Sequence, residues 1–449
     1  MNTCIEPKIL KGFRDFLPSA EIVRRNLTEQ IETTFRSFGF VPIDTPALEY
    51  AEILLGKGGG ETEKQIYRFT DNGGRDVALR FDLTVPFARF TALHKEELIF
   101  PFKRYHIAKV WRGENTQRGR YREFTQCDFD IIGSDSPAAD FEILLMIRST
   151  LQNLGVNAHI HLNHRGLFNR FLSVVKALDK SVDVLRTVDK ISKVGIEETQ
   201  KSLAILTNDN TAQKILAFIQ AGGESSGVQK SFDETLDTLT ELAGGPAQDT
   251  DRLRLLRQFM QDTGTADSFT LSPSITRGLD YYTGLVFETF LTELPEIGSI
   301  CSGGRYDNLC GIYTKNQISG VGSSIGLDRM IAALESLGRL PPCPGYAAIA
   351  IACVKQEQSG ACQSLADKLR QKGIPCEVFL EGSDSTLVKQ YVLAEKKGIQ
   401  YLIIPGENPL SDSQSLRNIA ERKNQQFSTV DELLEWIEGE SHTPLRRPC

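Results

Sequence analysis

The strongest alternation of polar and apolar residues lies at 110–133, where the sequence reads VWRGENTQRGRYREFTQCDFDIIG. It predicts two strands joined by a short loop, and side chains two residues apart share one face of a strand. One face of the second strand carries Thr125, Cys127, Phe129 and Ile131. The other face carries Arg122, Phe124, Gln126, Asp128 and Asp130.

The polar face of this second strand has two interpretations. Alternation alone favours a solvated face, because many antiparallel strands have one. The residue types favour a nucleotide site, since a guanidinium group fits phosphate oxygens and an exposed ring can stack on a base. Arg112 and Glu114 end the first strand two residues apart, and they add a cation and a carboxylate to the hairpin.

Several other elements follow from periodicity and breakers. Apolar residues recur at helical spacing over 19–38, and residues 138–154 are also predicted to be helical. Short strands are predicted at 65–69 and 77–81. Residues 167–262 are polar and mostly helical in pattern, which predicts an inserted helical subdomain.

Proline positions mark an edge and a linker. The stretch GFVPIDTPALEY contains Pro42 and Pro46, so it is expected at a sheet edge or a subunit contact. Residues 338–345 are proline-rich and predict a linker. Beyond it, strand and helix patterns alternate as far as QYLIIPG, which predicts an α/β domain of about a hundred residues with a parallel sheet and a separate binding function.

Two shorter stretches carry candidate chemistry. In LRFDLTVPFARF, Arg80, Asp82 and Thr84 alternate, which predicts one face of an extended segment that ends at Pro86. Asp82 is then either a solvated carboxylate or a group that holds an ammonium ion. In GVGSSIGLDRM, a strand runs into a helix whose first turn holds Arg329. A cation at a helix N-terminus attracts phosphate, although a surface ion pair is the plainer reading.

Composition limits the class of protein. The chain has 449 residues with 40% hydrophobic and 24% charged residues, which indicates two or three globular domains. No apolar run reaches membrane-spanning length. Nine scattered cysteines without a Cys-x-x-Cys pair favour reduced thiols in the cytoplasm. No metal site is expected, because His159 and His161 lack a third ligand at suitable spacing.

Together these motifs resemble a known family. TP-x-LE at Pro46, the Arg112 hairpin and GLDR at Arg329 are similar to the three signature motifs of class II aminoacyl-tRNA synthetases. RGLDYYTG and GGRYDNL resemble the two signatures of histidyl-tRNA synthetases. The resemblance covers essentially the whole chain, and the paired signatures are far more specific than any single motif.

The resemblance implies roles for individual residues. Arg112 and Arg277 would hold the α-phosphate of ATP and serve as the catalytic residues. The other ATP-binding residues would be Glu114 and Phe124 at the adenine end and Arg329 at the γ-phosphate. The histidine-binding residues would be Asp82, Thr84, Gln126, Asp130, Tyr281, Tyr282 and Tyr306. Gln117 and Arg122 would contact the acceptor end of the tRNA.

The resemblance also implies an architecture and partners. It implies an α+β catalytic domain (1–166 and 263–338) with a central antiparallel sheet, a helical insertion (167–262) and a C-terminal α/β anticodon-binding domain (345–449). The substrates would be ATP with Mg²⁺, L-histidine and tRNA(His), and the enzyme would be a cytoplasmic homodimer without a membrane segment. Two alternatives remain: an inactive synthetase-like regulatory subunit of histidine biosynthesis, and a tRNA-binding module without ATP turnover.

Overall fold

The computed structural model describes residues 4–56, 65–223, 230–276, 281–340, 343–380 and 386–440. The chain divides into two compact units. The first unit comprises residues 1–14 and 28–337, and the second comprises residues 15–27 and 338–449. Within the described ranges, no helix has the length and hydropathy needed to span a membrane.

The first unit is built on an eight-stranded sheet with strand order β1-β5-β6-β11-β10-β9-β7-β8. Its pairs are antiparallel except at the two edges, where β1 pairs with β5 and β8 pairs with β7 in parallel. The central antiparallel sheet is therefore confirmed. The strands of this sheet are β1 Val41–Pro42, β5 Phe102–Trp111, β6 Glu123–Ile132, β7 Ala158–His164, β8 Phe269–Leu271, β9 Leu285–Leu291, β10 Cys301–Tyr306 and β11 Gly320–Gly326.

A small three-stranded sheet and a set of helices complete the first unit. The small sheet has the order β2-β4-β3 and contains β2 Leu48–Tyr50, β3 Arg68–Thr70 and β4 Asp76–Leu79. The first helices are α1 Pro18–Ser37, α2 Ala51–Leu55, α3 Thr84–Leu93 and α4 Pro137–Asn153, and residues 18–27 of α1 are assigned to the second unit. The later helices are α5 Arg165–Val174, α6 Ser181–Val188, α7 Ile191–Val194, α8 Ile196–Leu206, α9 Asp209–Ile219, α10 Phe232–Leu242, α11 Gln248–Asp262 and α12 Leu327–Ser336.

The hairpin of β5 and β6 forms as predicted, but its polar face is buried rather than solvated. The apolar face packs on the core, where the Phe129 ring lies 4.8 Å from Phe35. On the other face, Gln126 is 9% exposed, Asp128 1% and Asp130 2%. Alternation along a strand shows that its two faces differ, but it does not show what covers each face.

The segment around Thr84 also differs from its prediction. Thr84 is the first residue of α3, so it is helical and not part of an extended segment. Pro86 lies within the first turn of this helix and does not end the segment. A proline is tolerated there because the first N–H groups of a helix have no intrahelical acceptor. Asp82 stabilises the helix start, since its Oδ1 accepts a 3.1 Å hydrogen bond from the Val85 amide.

The second unit contains the predicted α/β pattern and an additional hairpin. Strand β12 pairs in parallel with β13 and β14, as expected. Two further strands, which the sequence analysis did not predict, pair antiparallel beyond β14, so the complete sheet is mixed. The elements of this unit are β12 Ile349–Ile351, α13 Ser359–Gln371, β13 Cys376–Val378, α14 Leu387–Lys396, β14 Tyr401–Pro405, β15 Gln414–Asn418, β16 Lys423–Phe427 and α15 Val430–Glu440.

The cysteines differ at one position from the expectation of reduced thiols. Cys343 is disulfide-bonded. The cysteines with free thiols are Cys4, Cys127, Cys301, Cys310, Cys353, Cys362 and Cys376.

Candidate active site

A cavity of about 910 Å³ lies in the first unit and brings together side chains from distant segments. Most of the residues assigned from the sequence line it. They are Asp82, Thr84, Arg112, Glu114, Phe124, Gln126, Asp130, Tyr281, Tyr282, Tyr306 and Arg329. Arg277 lies outside the described residues, so its predicted role is not tested by the structure.

Three arginines, Arg112, Arg120 and Arg329, line this cavity and supply positive charge, and Arg112 and Arg329 come from remote segments. Arg112 follows β5, and its Nε donates a 2.9 Å hydrogen bond to the carbonyl oxygen of Phe81. Its guanidinium carbon lies 5.2 Å from the centre of the Phe124 ring. Arg329 lies in the first turn of α12 and donates to the carbonyl oxygen of Ser299. Burial, and secondly the charge of Arg120, lower the pKa of Arg329 to about 10, although Glu114 and Glu288 act in the opposite direction.

Asp82 is a buried carboxylate that lines the same cavity. It is 4% exposed, and burial raises its pKa to about 6 despite the opposing charges of Arg112 and Arg104. One of its oxygens caps α3, and the other has no hydrogen-bond partner among the described residues. A carboxylate with an unused acceptor in a cavity wall is suited to hold an ammonium group.

Asp130 belongs to a buried polar chain under the same wall. It accepts a hydrogen bond from the Tyr306 hydroxyl at 2.5 Å and forms an ion pair with Arg104 at 2.6 Å. Burial raises the pKa of Asp130, whereas Arg104 and the Tyr306 hydrogen bond lower it. The pKa of Tyr306 is raised well above its ordinary value, first by burial and then by Asp130, so Tyr306 is a hydrogen-bond donor at neutral pH.

Three tyrosines form an aromatic part of the cavity wall. The rings of Tyr281 and Tyr282 lie 4.7 Å apart, and Tyr281 meets Tyr306 edge to face at 6.3 Å. Such a cluster can enclose a small flat ring while its hydroxyl groups remain available for hydrogen bonds.

Two glycines allow this wall to form. A Cβ on Gly322 would overlap the Asp130 carboxylate, because these residues are directly paired on β11 and β6. A Cβ on Gly304 would lie 2.7 Å from the Tyr282 ring. Both positions therefore require glycine for close approach of neighbouring side chains.

The tRNA-acceptor residues proposed from the family do not line the cavity. Gln117 is exposed in the loop between β5 and β6. Arg122 precedes β6, and its Nε donates a 3.2 Å hydrogen bond to the Glu114 carbonyl oxygen. Its Nη1 also donates at 3.4 Å to the carbonyl oxygen of Lys11, so this guanidinium group holds backbone segments together.

The N-terminal segment braces the same loop against α12. The amide of Arg122 donates to the carbonyl oxygen of Gly12, and the Arg14 guanidinium lies 3.2 Å from the centre of the Tyr121 ring. Asp328 accepts from Arg14 and, at 2.7 Å, from the Thr125 amide. These contacts fix the first turn of α12 relative to β6.

Sequence reasoning did not identify several residues that line the cavity. Glu288 lies on β9, which gave no functional signal, and His161 lies on β7, where it was considered only as a metal ligand. Val188, Asp189 and Ile191 belong to the predicted helical insertion, and no pattern within that region indicated a role. This segment is held in part by Thr276, whose Oγ1 donates a 3.2 Å hydrogen bond to the carbonyl oxygen of Leu185.

Comparisons with known proteins identify the family of this chain. A family model for histidyl-tRNA synthetase matches residues 12–330, and a model for an anticodon binding domain matches residues 348–440. The chain belongs to the histidyl-tRNA synthetase family. It is 54% identical over 402 residues to a histidine–tRNA ligase of Treponema denticola, covering 89% of each chain. It is 44% identical over 448 residues to that of Rhodopirellula baltica, covering 97% of this chain and 99% of the relative.

Solved structures of this family share the fold. The crystal structure of histidyl-tRNA synthetase from Nostoc sp. PCC 7120 matches with a TM-score of 0.84 and 29% identity, covering 97% of this chain and 100% of that one. An ATP phosphoribosyltransferase regulatory subunit/histidyl-tRNA synthetase from Bacillus halodurans matches with a TM-score of 0.73 and 20% identity, covering 90% and 99%. At that identity the second match supports the fold alone.

Proposed function

We propose that this chain is an ATP-dependent histidine–tRNA ligase, which forms histidyl-adenylate and transfers histidine to the 3′ end of tRNA(His). The observation that carries the proposal is one cavity that contains three arginines, Arg112, Arg120 and Arg329, beside buried carboxylates. Arg112 and Arg329 suit a triphosphate, and Asp82 and Asp130 suit an amino acid with an ammonium group and a polar ring.

Formation of the adenylate depends on positioning of the substrates and on fixed positive charge, and it does not need a general base. The carboxylate of histidine is itself the nucleophile, and it attacks the α-phosphorus while pyrophosphate leaves. In our assignment Arg112 binds the α-phosphate, Phe124 stacks on adenine with Glu114 nearby, and Arg329 binds the γ-phosphate. Arg277 is assigned to the α-phosphate from the family signature alone.

The histidine half recognises a cation and a ring. The free oxygen of Asp82 accepts from the α-ammonium group, and Thr84 and Gln126 complete this contact. Asp130 and the tyrosine cluster of Tyr281, Tyr282 and Tyr306 surround the imidazole. Bound ammonium offsets part of the cost of burying Asp82 as a carboxylate, because an opposite charge nearby favours the charged form.

Mg²⁺ is proposed as the counter-ion of ATP, and the residues present fit this role. The carboxylates of Glu114 and Glu288 line the same cavity as Arg329, and carboxylate oxygens are the ligands that Mg²⁺ prefers. When bound with ATP, the ion would neutralise phosphate charge.

The tRNA contacts and the assembly are further parts of the proposal. Residues 345–449 are assigned to anticodon binding, residues 167–262 to an insertion, and residues 1–166 and 263–338 to catalysis. Gln117 and Arg122 remain candidates for the acceptor end. We also infer a homodimer and a cytoplasmic location. A monomer in light scattering at micromolar concentration would contradict the dimer.

The deciding experiment is histidine-dependent exchange of pyrophosphate into ATP, measured with each of the twenty amino acids. We expect exchange with histidine alone, followed by charging of tRNA(His) when tRNA is added. Absence of exchange with pure protein and Mg²⁺ would overturn the proposal. Exchange without charging would leave the activation step intact and remove the transfer step. A regulatory subunit would do neither, and no observation favours that alternative.

A further inference from the structure

The two histidyl-tRNA synthetase signatures contain polar residues to which the proposed reaction gives no role. RGLDYYTG ends in Thr283 and Gly284, and GGRYDNL contains Arg305 and Asp307. The signatures are separate in sequence, but hydrogen bonds join the end of the first to the second. The contacts between them therefore indicate what these residues do.

Thr283 and Asp307 hold each other by two hydrogen bonds. Oγ1 of Thr283 donates to Oδ2 of Asp307 at 2.5 Å, and the amide of Asp307 donates to the same Oγ1 at 3.1 Å. A hydroxyl group has one proton and two lone pairs, so it can donate and accept at once. The carbonyl oxygen of Arg305 is farther from Oγ1, at 3.4 Å, and it accepts from the Thr283 amide at 2.8 Å. We call the pair of Thr283 and Asp307 the threonine clamp.

The threonine clamp directly follows two tyrosines of the cavity wall. Tyr282 packs so closely on β10 that a Cβ on Gly304 would lie 2.7 Å from its ring. Tyr281 meets the ring of Tyr306 edge to face at 6.3 Å. Three consecutive residues therefore contact one short stretch of chain. A hydrogen-bonded side chain at the end of such a run limits how far the tyrosines can move.

Arg305 connects the clamp to helices α4 and α11. Its Nη1 lies 3.4 Å from Oδ1 of Asp307 and donates to the carbonyl oxygen of Ser134 at 3.0 Å. Its Nε donates to Oδ1 of Asp140 at 2.9 Å, and Oδ2 of Asp140 accepts from Nε of Arg252 at 2.6 Å. Arg305 is 2% exposed and Asp140 is fully buried. Because separation of a buried pair leaves an uncompensated charge, this network keeps Arg305 in place beside Asp307.

We propose that Asp307 is a positioning residue for the amino-acid pocket, which holds Thr283 and thereby keeps Tyr281 and Tyr282 around the ring of the bound amino acid. The inference rests on the proposed function, because that ring is the imidazole of histidine. The two signatures then act together, since the first supplies the tyrosines and the second supplies the carboxylate that fixes them. Without the clamp, fewer molecules hold the tyrosines in the binding position, and the apparent affinity for histidine falls by that fraction.

The first test removes the hydroxyl group and keeps the shape of the side chain. Thr283→Val should weaken histidine binding about tenfold in calorimetric titration without ATP, the usual order for loss of a hydrogen bond to a charged group. The KM for ATP in pyrophosphate exchange should change little, because Arg112, Phe124 and Arg329 lie on other elements. Thr283→Ser keeps the hydroxyl and should retain most of the histidine affinity.

Thr292→Val is the matched control. Thr292 follows the opposite end of β9, is exposed, and donates through Oγ1 at 3.3 Å to the carbonyl oxygen of Asn157. It does not line the cavity. The same substitution at this position tests whether loss of any threonine hydroxyl beside the strand affects histidine binding. We expect an affinity close to that of the parent, with circular dichroism showing that both valine variants are folded.

A double-mutant cycle tests whether Asp307 acts through Thr283. Asp307→Ala should weaken histidine binding in the parent and add little in Thr283→Val, because the contact between the two residues is already lost. An equal further loss in both backgrounds would mean that Asp307 acts on the pocket by another route, and it would overturn the clamp. If Asp307→Ala does not fold, the comparison of Thr283→Val with Thr283→Ser still decides the role of the hydroxyl.

The outcomes distinguish this inference from the function on which it rests. If the parent binds histidine but shows no histidine-dependent exchange, the proposed function fails and the titrations still test the clamp. If the parent is active and folded Thr283→Val binds histidine as tightly as the parent, the clamp is wrong while the function stands. Equal increases in the KM values for histidine and ATP would also reject the clamp, since they indicate general disturbance of the site.

Discussion

Arg104 is a fully buried cation, and its charge acts on the three buried carboxyl groups of Asp82, Asp128 and Asp130. In each case burial raises the pKa more than Arg104 lowers it. One guanidinium group therefore does not offset three carboxylates. An amino acid that brings its own ammonium group into the cavity would supply part of the missing positive charge, which matches the proposed substrate.

This imbalance predicts that ionisation of Asp128 makes the stability of the folded protein depend on pH. Burial, and then the neighbouring charge of Asp130, hold its folded pKa at about 7, above the value of an unfolded chain. As pH rises from 5 to 8, the folded state must release a proton that the unfolded state has already lost, so this carboxyl group increasingly destabilises the fold. Asp128→Asn removes the titration, and its stability relative to the parent should therefore increase over this range.

Urea denaturation of the unliganded proteins at pH 5 and pH 8 measures this difference. Glu123→Gln is a suitable control, because Glu123 pairs with Lys109 at 2.7 Å near the end of the same strand and is only partly buried. The free energy of unfolding of Glu123→Gln relative to the parent should change little between the two pH values. If the free energy of unfolding of Asp128→Asn relative to the parent is the same at pH 5 and pH 8, the Asp128 carboxyl group is ionised over this whole range and the prediction is wrong.

Arg112 gives the second prediction at this scale. Arg112→Ala should lower exchange about 100-fold, or about 3 kcal/mol in the barrier, by analogy with removal of a fixed donor from a transition state. Arg112→Lys should restore only part of the rate, because an ammonium group keeps the charge but loses the planar fork. Rates are measured with saturating histidine and ATP.

The control for this prediction is Arg118→Ala, which removes the same charge from an exposed position in the same loop. Arg118 does not line the cavity, so near-normal exchange is expected. Similar losses for both variants would mean that only the overall charge of the loop matters, and they would remove Arg112 from the assigned role.

At the scale of elements, prediction from the sequence succeeded where one local pattern specified the answer. The alternation in β6 and the strand-to-helix change before Arg329 depend on neighbours in sequence, and both were confirmed. Thr84 was assigned wrongly because alternation does not reveal that its helix begins there, with the Val85 amide donating to the Asp82 side chain. Strand β16 was missed because four of its five residues, KNQQ, are polar and exposed.

Residues of the site could be predicted where they belong to family motifs. They could not be predicted where only the tertiary fold brings them to the cavity. Val188 and Glu288 reach the cavity from separate elements, and neither residue belongs to a motif. Ser324 is part of a recognised strand, but its hydrogen bond to Gln126 depends on the pairing of β6 with β11. Such pairings cannot be read from either strand alone.

The β6–β11 pairing gives a prediction for Gly322. In Gly322→Ala the new methyl group overlaps the Asp130 carboxylate, and Asp130 must move away from Tyr306 and Arg104. We expect a loss of stability of about 1–3 kcal/mol, as for overpacking of a core, together with weaker histidine binding.

Gly311→Ala is the control, because a Cβ there has no neighbour within 4 Å. Urea denaturation and calorimetric titration with histidine test both effects, and unchanged histidine affinity in a folded Gly322→Ala would contradict the assignment of Asp130.

At the scale of the whole molecule, we predict that the two units carry out separable steps. The cavity and its charged residues belong to the first unit. The match to an anticodon binding domain lies in the second. Substitutions in the second unit should therefore alter tRNA charging without altering amino-acid activation.

Arg417 is the residue that tests this separation most directly. It lies on β15, its guanidinium carbon is 4.7 Å from the centre of the Tyr391 ring, and its Nη1 donates to Asn424 at 3.0 Å. Guanidinium planes and aromatic rings stack on unpaired bases. Arg417→Ala should raise the KM for tRNA about tenfold, within the range for loss of one stacked base, and leave histidine-dependent exchange unchanged.

Lys372→Ala removes the same charge from a surface pair with Glu438 and should affect neither step. If both variants weaken charging equally, binding depends on net charge; if Arg417→Ala also lowers exchange, the two steps are not separable in this way.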